Sequence, residues 1–217
     1  MSECEDLLVF ENVTQLIGGR TLLHGINFRL RAKEVVALQG PNGTGKTTFI
    51  KLAAGLSKPS SGMIRVLGQE SSRKARAQVG VLMDQSFLYG DLTARENLLY
   101  YASLFHLPNR VQTVDEWLAR VHLHRDRNEM VRTFSKGMRQ RLAIARCLLH
   151  NPKILLLDEP FDGLDIRHQE LVADWIKDFK DDNRGVVFVS HDQTIVEKLA
   201  TRSLFISRGS FREGAVL

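Results

Sequence analysis

A chain of 217 residues with 43% hydrophobic and 25% charged residues has the make-up of a globular protein, and at this length folding buries roughly 70% of the surface of the unfolded form. No run approaches the ~18 apolar residues of a membrane span, the acidic start MSECEDLL does not read as a signal peptide, and Cys4 and Cys147 are too few for a disulfide framework or a cysteine metal site, which suits a reducing cytoplasm. Thirty Lys and Arg against 25 Asp and Glu leave +5. That is a mild lean toward nucleotides, nucleic acid or a lipid surface, for which a solvated basic face is the simpler account on charge alone.

LLVFENVTQLIGGRTLLHGINFRL alternates apolar and polar residues around Gly18-Gly19, which predicts antiparallel strands. VVALQ (35–39) is a short unalternating run of the kind covered on both faces in a parallel sheet. Directly after it GPNGTGKT, Gly40 to Thr47, matches G-x-x-x-x-G-K-[ST], and the helical TFIKLAAGL follows. Across Gly40, Pro41, Asn42, Gly43, Thr44 and Gly45 the glycines free backbone N–H groups to wrap phosphate oxygens. Lys46 reaches the terminal phosphates, Thr47 offers a hydroxyl to Mg²⁺, and Thr48 stands with them where the helix start adds roughly half a positive charge. A chance Gly-rich turn would lack these strand and helix flanks.

VGVLMDQ (79–85) is a second buried strand, and the pattern then turns helical from Ser86 to His150. Thr93-x-x-Glu96 and Thr113-x-x-Glu116 each read as a capping box, ahead of LLYYASLF and VDEWLARVHL. His122 and His124 are two apart on a helix, so they face different directions as surface residues. Trp117, Trp175 and Cys147 sit at core positions. In TFSKGMRQR, Ser135 is placed to cap a helix whose Met138, Leu142, Ala145 and Leu149 predict packing by one face. The cations Lys136, Arg139, Arg141 and Arg146 suggest either a nucleic-acid face or a phosphate site. One helix end stabilises an anion by about 0.3–1 kcal/mol, whereas micromolar binding needs about 8 kcal/mol. This segment is therefore not a primary nucleotide site.

KILLLDEP (153–160) is a hydrophobic strand ending in two carboxylates. Beside a phosphate loop, Asp158 would hold the Mg²⁺ water shell and Glu159 would polarise an attacking water; without that loop, acids at a strand end are unremarkable. VVFVSH (186–191) is a further strand, and SLFISRGSFREG reads as a closing hairpin around Arg208-Gly209-Ser210. The fold class is α/β: a mostly parallel sheet with crossover helices and a flanking antiparallel layer. We expect one domain over 1–217, with a core of 1–85 and 151–217 and a helical lobe at about 86–150.

In this order GPNGTGKTT, Gln85 at a strand end, FSKGMRQRLAIAR, LLLDEPFDGLD and VSH resemble the ATP-binding subunit of ABC transporters, over nearly the whole chain. The resemblance implies the ABC ATPase form of the P-loop NTPase fold, and an ATPase using ATP and Mg²⁺. It puts Gln85 in the Q-loop, contacting Mg²⁺ and sensing the γ-phosphate. Asp165 falls in the D-loop and His191 at the switch histidine. Ser135 and Gly137 fall on the signature motif, where FSKGM departs from the common LSGGQ at Phe134, Lys136 and Met138. The implied catalytic set is Glu159, His191 and Gln85. In this family the signature meets the γ-phosphate held by a second subunit, so two subunits bury two ATP molecules head to tail; Lys136, Arg139 and Arg141 become lobe surface.

Leu16 and Ile17 stand where the family often has an aromatic residue stacked on adenine, so no stacking residue is assigned. The implied partners are a second ATP-binding subunit and a membrane-spanning permease docked near Gln85, with no nucleic acid, at the cytoplasmic face of the membrane as a peripheral protein. LTARENLLYYASLF and LDEPF are similar to haem-exporter subunits of cytochrome c maturation and to other bacterial exporter subunits. The alternative is a soluble or regulatory ABC ATPase that moves no solute; those acting on nucleic acid or ribosomes usually carry two copies or a coiled-coil insertion, and neither is present here.

Overall fold

The computed structural model describes residues 6–70, 72–83 and 86–213. Strands β1 (Asp6–Ile17) and β2 (Arg20–Arg31) form the expected antiparallel hairpin, turning through Gly18 and Gly19 at φ 56° and 76°, where side chains other than glycine are strained. Three strands follow in the order β3 (Val35–Gln39), β4 (Ser61–Val66) and β5 (Gln69–Glu70). The last two join the hairpin in a four-stranded layer ordered β2-β1-β4-β5.

The second sheet takes β3 with β6 (Val79–Leu82), β7 (Ile154–Asp158), β8 (Gly185–Val189), β9 (Arg202–Ser207) and β10 (Ser210–Glu213), in the order β10-β9-β3-β8-β7-β6. All neighbours run parallel except β10, which turns back on β9. The closing hairpin therefore extends the edge of the parallel sheet and not the antiparallel layer. VGVLMDQ and VVFVSH give shorter strands than their apolar runs predict: β6 stops at Leu82, and β8 stops before Ser190 and His191.

The helices are α1 (Lys46–Ala53), α2 (Arg73–Arg76), α3 (Ala94–Leu104), α4 (Arg110–Arg120), α5 (Lys136–Leu148), α6 (Ile166–Asp181) and α7 (Gln193–Leu199). The central strands show why they lack polar alternation. On β3, Val36 and Leu38 enter one core with α1 and the antiparallel layer, while Val35 and Ala37 enter a second with α5, α6 and α7. β7 and β8 divide the same way, with Leu156 and Val187 on one side and Leu155 and Phe188 on the other. The first core is tied by Phe10, Phe28 and Phe49, with Phe10 stacked on Phe49 at 4.7 Å.

A third core holds α3, α4 and part of α5. Here α5 departs from the one-faced helix expected. Leu142 and Ala145 enter the third core, whereas Ala143, Ile144, Cys147 and Leu148 enter the second. Cys147 is a small core residue as expected, its thiol donating to the Val81 carbonyl at 2.8 Å.

Thr93 caps α3 in a reciprocal box with Glu96. Thr113 and Glu116 do not make the second one: both lie inside α4, whose N-cap is Asn109, and Glu116 accepts from Gln112 instead. A T-x-x-E spacing also occurs along a helix face, so the pattern alone did not locate the start. His122 and His124 are exposed as expected but lie past the end of α4 and not on a helix. Trp117 and Trp175 are partly buried, edge to face at 6.5 Å.

The basic run is also corrected. Arg141 is buried and donates to the Val121 and His122 carbonyls, closing the turn after α4. Arg146, also buried, donates to the Val81 carbonyl and lies over the Phe87 and Tyr101 rings at 5.4 and 5.3 Å. Arg139 donates to the Phe134 carbonyl as well, so three of the four cations hold main-chain oxygens and these four make no continuous basic face. Among the described residues no helix is long and apolar enough to cross a membrane.

Candidate nucleotide site

The strand order places the site. β3, β8 and β7 are parallel neighbours, so their C-terminal ends deliver the phosphate loop, His191 and the Asp158-Glu159 pair side by side. Gly45 caps α1 at φ 107°, and a Cβ there would come within 2.9 Å of Leu23. The Lys46 ammonium is buried and donates to the Gly40 carbonyl at 2.7 Å and the Pro41 carbonyl at 3.0 Å, so the loop curls round its own cation. Thr44 Oγ1 donates to the Pro41 carbonyl at 2.8 Å. Burial pushes the Lys46 pKa down, against the pull of Glu159 and Asp158.

Thr47 Oγ1 donates to Asp158 Oδ2 at 2.7 Å. A hydroxyl and a carboxylate in contact are hard oxygen donors that suit Mg²⁺, which keeps waters and takes substrate phosphate oxygens as its other ligands. Glu159 has φ 50°, unusual for a side chain other than glycine, and its Oε1 lies 3.2 Å from His191 Nε2. Burial raises the Glu159 carboxyl above the ordinary range, with His191 the main opposing influence. Asn42, Gly43, Gly45, Lys46, Thr47, Thr48, Asp158, Glu159 and His191 all line one cleft of about 400 Å³.

Ser135, Gly137 and Asp165 do not join them. They line a separate concavity of about 350 Å³ with Met138, Arg141 and His168. Ser135 caps α5, its hydroxyl accepting from the Met138 N–H at 3.2 Å. Gly137 lets α5 sit against the next loop, since a Cβ there would fall 2.8 Å from the Gly163 carbonyl. Asp165 caps α6, and the His168 N–H followed by the His168 ring hold its carboxyl below the usual range. Gln85 lies outside the described residues. Leu16 and Ile17, 45% and 54% exposed, end the first strand of the hairpin.

The ABC transporter family profile matches residues 23–162. The chain belongs to the ABC transporter family. It is 36% identical over 212 residues to the uncharacterized ABC transporter ATP-binding protein YdbJ of Bacillus subtilis, covering 96% of this chain and 68% of that one. To the lantibiotic transport ATP-binding protein SrtF of Streptococcus pyogenes it is 36% identical over 204 residues, covering 94% of this chain and 88% of that one. Among solved structures, a dimeric ATP-binding cassette in a post-hydrolysis state with ADP and Pi superposes with TM-score 0.87 at 28% identity, over 97% of this chain and 99% of that one.

This ABC ATPase also brings to its cleft residues that sequence reasoning passed over. Leu22 of β2, Gln140 of α5 and Asp162 all line it. Leu22 is one apolar residue of an alternating strand and Gln140 sits inside a basic run, so neither had a mark of its own. Lys136 reaches across to Asp162 at 2.6 Å, an exposed pair worth at most about 1 kcal/mol.

Proposed function

We propose that the chain is the ATP-hydrolysing motor subunit of an ABC exporter, working at the cytoplasmic face of the membrane as a head-to-tail pair docked on a membrane-spanning permease. The observation that carries this is the division of the site. The phosphate loop, Asp158, Glu159 and His191 line one cleft, and Ser135, Gly137 and Asp165 line another. One chain therefore offers two unlike halves, which a second copy can complete. The dimeric neighbour supports pairing, and the lantibiotic transport relative supports export. The names reported above give no support to haem export, so the reading stays at exporter.

In this reading the loop N–H groups and Lys46 hold the phosphates, and Thr47, Asp158 and Gln85 hold Mg²⁺. When bound, the ion neutralises charge on the phosphate oxygens. Glu159 takes the proton of the attacking water, and His191 stands beside it. Ser135 and Gly137 offer a hydroxyl and the start of α5 to the γ-phosphate held by the partner. The core of 1–85 and 151–217 carries the nucleotide, and the lobe at about 86–150 carries the signature.

Only the Glu159 carboxylate can accept that proton, and burial raises its pKa. Hydrolysis is expected to fall on the acid side through a value above that of ordinary glutamate. His191→Ala removes the imidazole that opposes the shift, so the acid limb of log(kcat/KM) moves further up in pH. A limb that stays put or moves down contradicts the pairing of these two groups.

The proposal as a whole is tested by purifying the chain from membranes. A multi-span protein is expected to copurify and to stimulate ATP turnover when both are reconstituted in lipid vesicles. ATPase activity that responds only to ribosomes or nucleic acid would overturn it in favour of a soluble ABC ATPase.

A further inference from the structure

Helix α5 makes a contact with the catalytic loop of its own chain that the division into two half-sites does not require. Gln140 Nε2 donates to the Glu159 carbonyl at 3.0 Å, and a carbonyl partner fixes which way the amide points. The same carbonyl accepts the Asp162 N–H at 3.2 Å. Glu159 needs such support. Its φ is 50°, and Pro160 behind it disfavours the right-handed helical region, so its backbone holds a conformation it would not choose alone. Lys136 adds a second strap, from the first turn of α5 to Asp162.

We propose that Gln140 is a positioning residue for Glu159: it fixes the backbone from which the carboxylate extends, and so makes hydrolysis depend on how α5 is seated. The first turn of that helix, with Ser135 and Gly137, lines the other concavity. What docks there and what happens at Glu159 are thereby joined through one rigid element. This rests on the reading of Glu159 as the base.

The test uses the full chain with Mg²⁺ and ATP. Gln140→Leu keeps size without a donor, and Gln140→Asn keeps a donor one methylene short. Both are expected to lower kcat by about 10- to 100-fold, as for a catalytic group displaced by about 1 Å. The ATP dissociation constant should stay within about twofold, since nothing is removed from the phosphate loop. In a Glu159→Gln background the same substitutions should cause no further loss in single-turnover hydrolysis, because Gln140 acts only through Glu159. Full additivity in that background, or wild-type turnover of both single variants, overturns the proposal. A Glu159→Gln protein that hydrolyses at the wild-type rate would instead remove the base assignment itself, and the inference with it.

Discussion

Glu159→Gln is expected to leave ATP binding intact, to stall hydrolysis and to trap the chain as a dimer whenever ATP is present. The amide has the size of the carboxylate, so the cleft keeps its shape, but it cannot accept a proton. Loss of a general base costs about 10²- to 10⁴-fold in rate. The fold should not suffer: burial already disfavours the ionised form of this side chain, and a neutral amide escapes that penalty. Gel filtration with and without ATP, beside a turnover assay, reads both halves of the prediction. A protein that stays monomeric with ATP, or that turns over normally, contradicts the role given to Glu159.

Lys46→Ala is expected to lose nucleotide affinity outright. The ammonium is buried, and two carbonyls of the loop depend on it. Removing it deprives the phosphates of a charged donor worth about 1.5–3 kcal/mol, or roughly 10- to 150-fold in affinity. It also takes the ammonium from the Gly40 oxygen and leaves the Pro41 oxygen with the Thr44 hydroxyl alone, which loosens the loop whose N–H groups make the remaining contacts. Titration with a fluorescent ATP analogue measures the loss, with circular dichroism to show that the chain is folded. A wild-type dissociation constant would sink the phosphate-loop reading.

The parts of the fold legible in the sequence were those where one local rule decides. VVALQ gave the strand Val35–Gln39 because five apolar residues fit a strand covered on both faces. Thr93 gave a true helix start because the box and the apolar period agreed. What stayed hidden depended on distant partners. Arg141 and Arg146 look like surface cations, and only the carbonyls of Val121, His122 and Val81 explain their burial. The two-faced packing of α5 could not be read from Leu142 and Ala145, since the second face serves a sheet built from other segments. At the site, motif spacing named residues of both concavities, but which concavity each residue lines follows from the sheet order and the seating of α5.

That sorting has a consequence for how the activity responds to dilution. If each working centre needs the phosphate cleft of one copy and the signature concavity of another, a lone chain carries no complete centre. Turnover per chain should then climb with protein concentration until pairing saturates. A permease with two docking positions would abolish this dependence by holding both copies at an effective concentration on the order of millimolar. The membrane partner would thus act as a template for assembly as well as a conduit, and a free chain released from it would fall nearly silent.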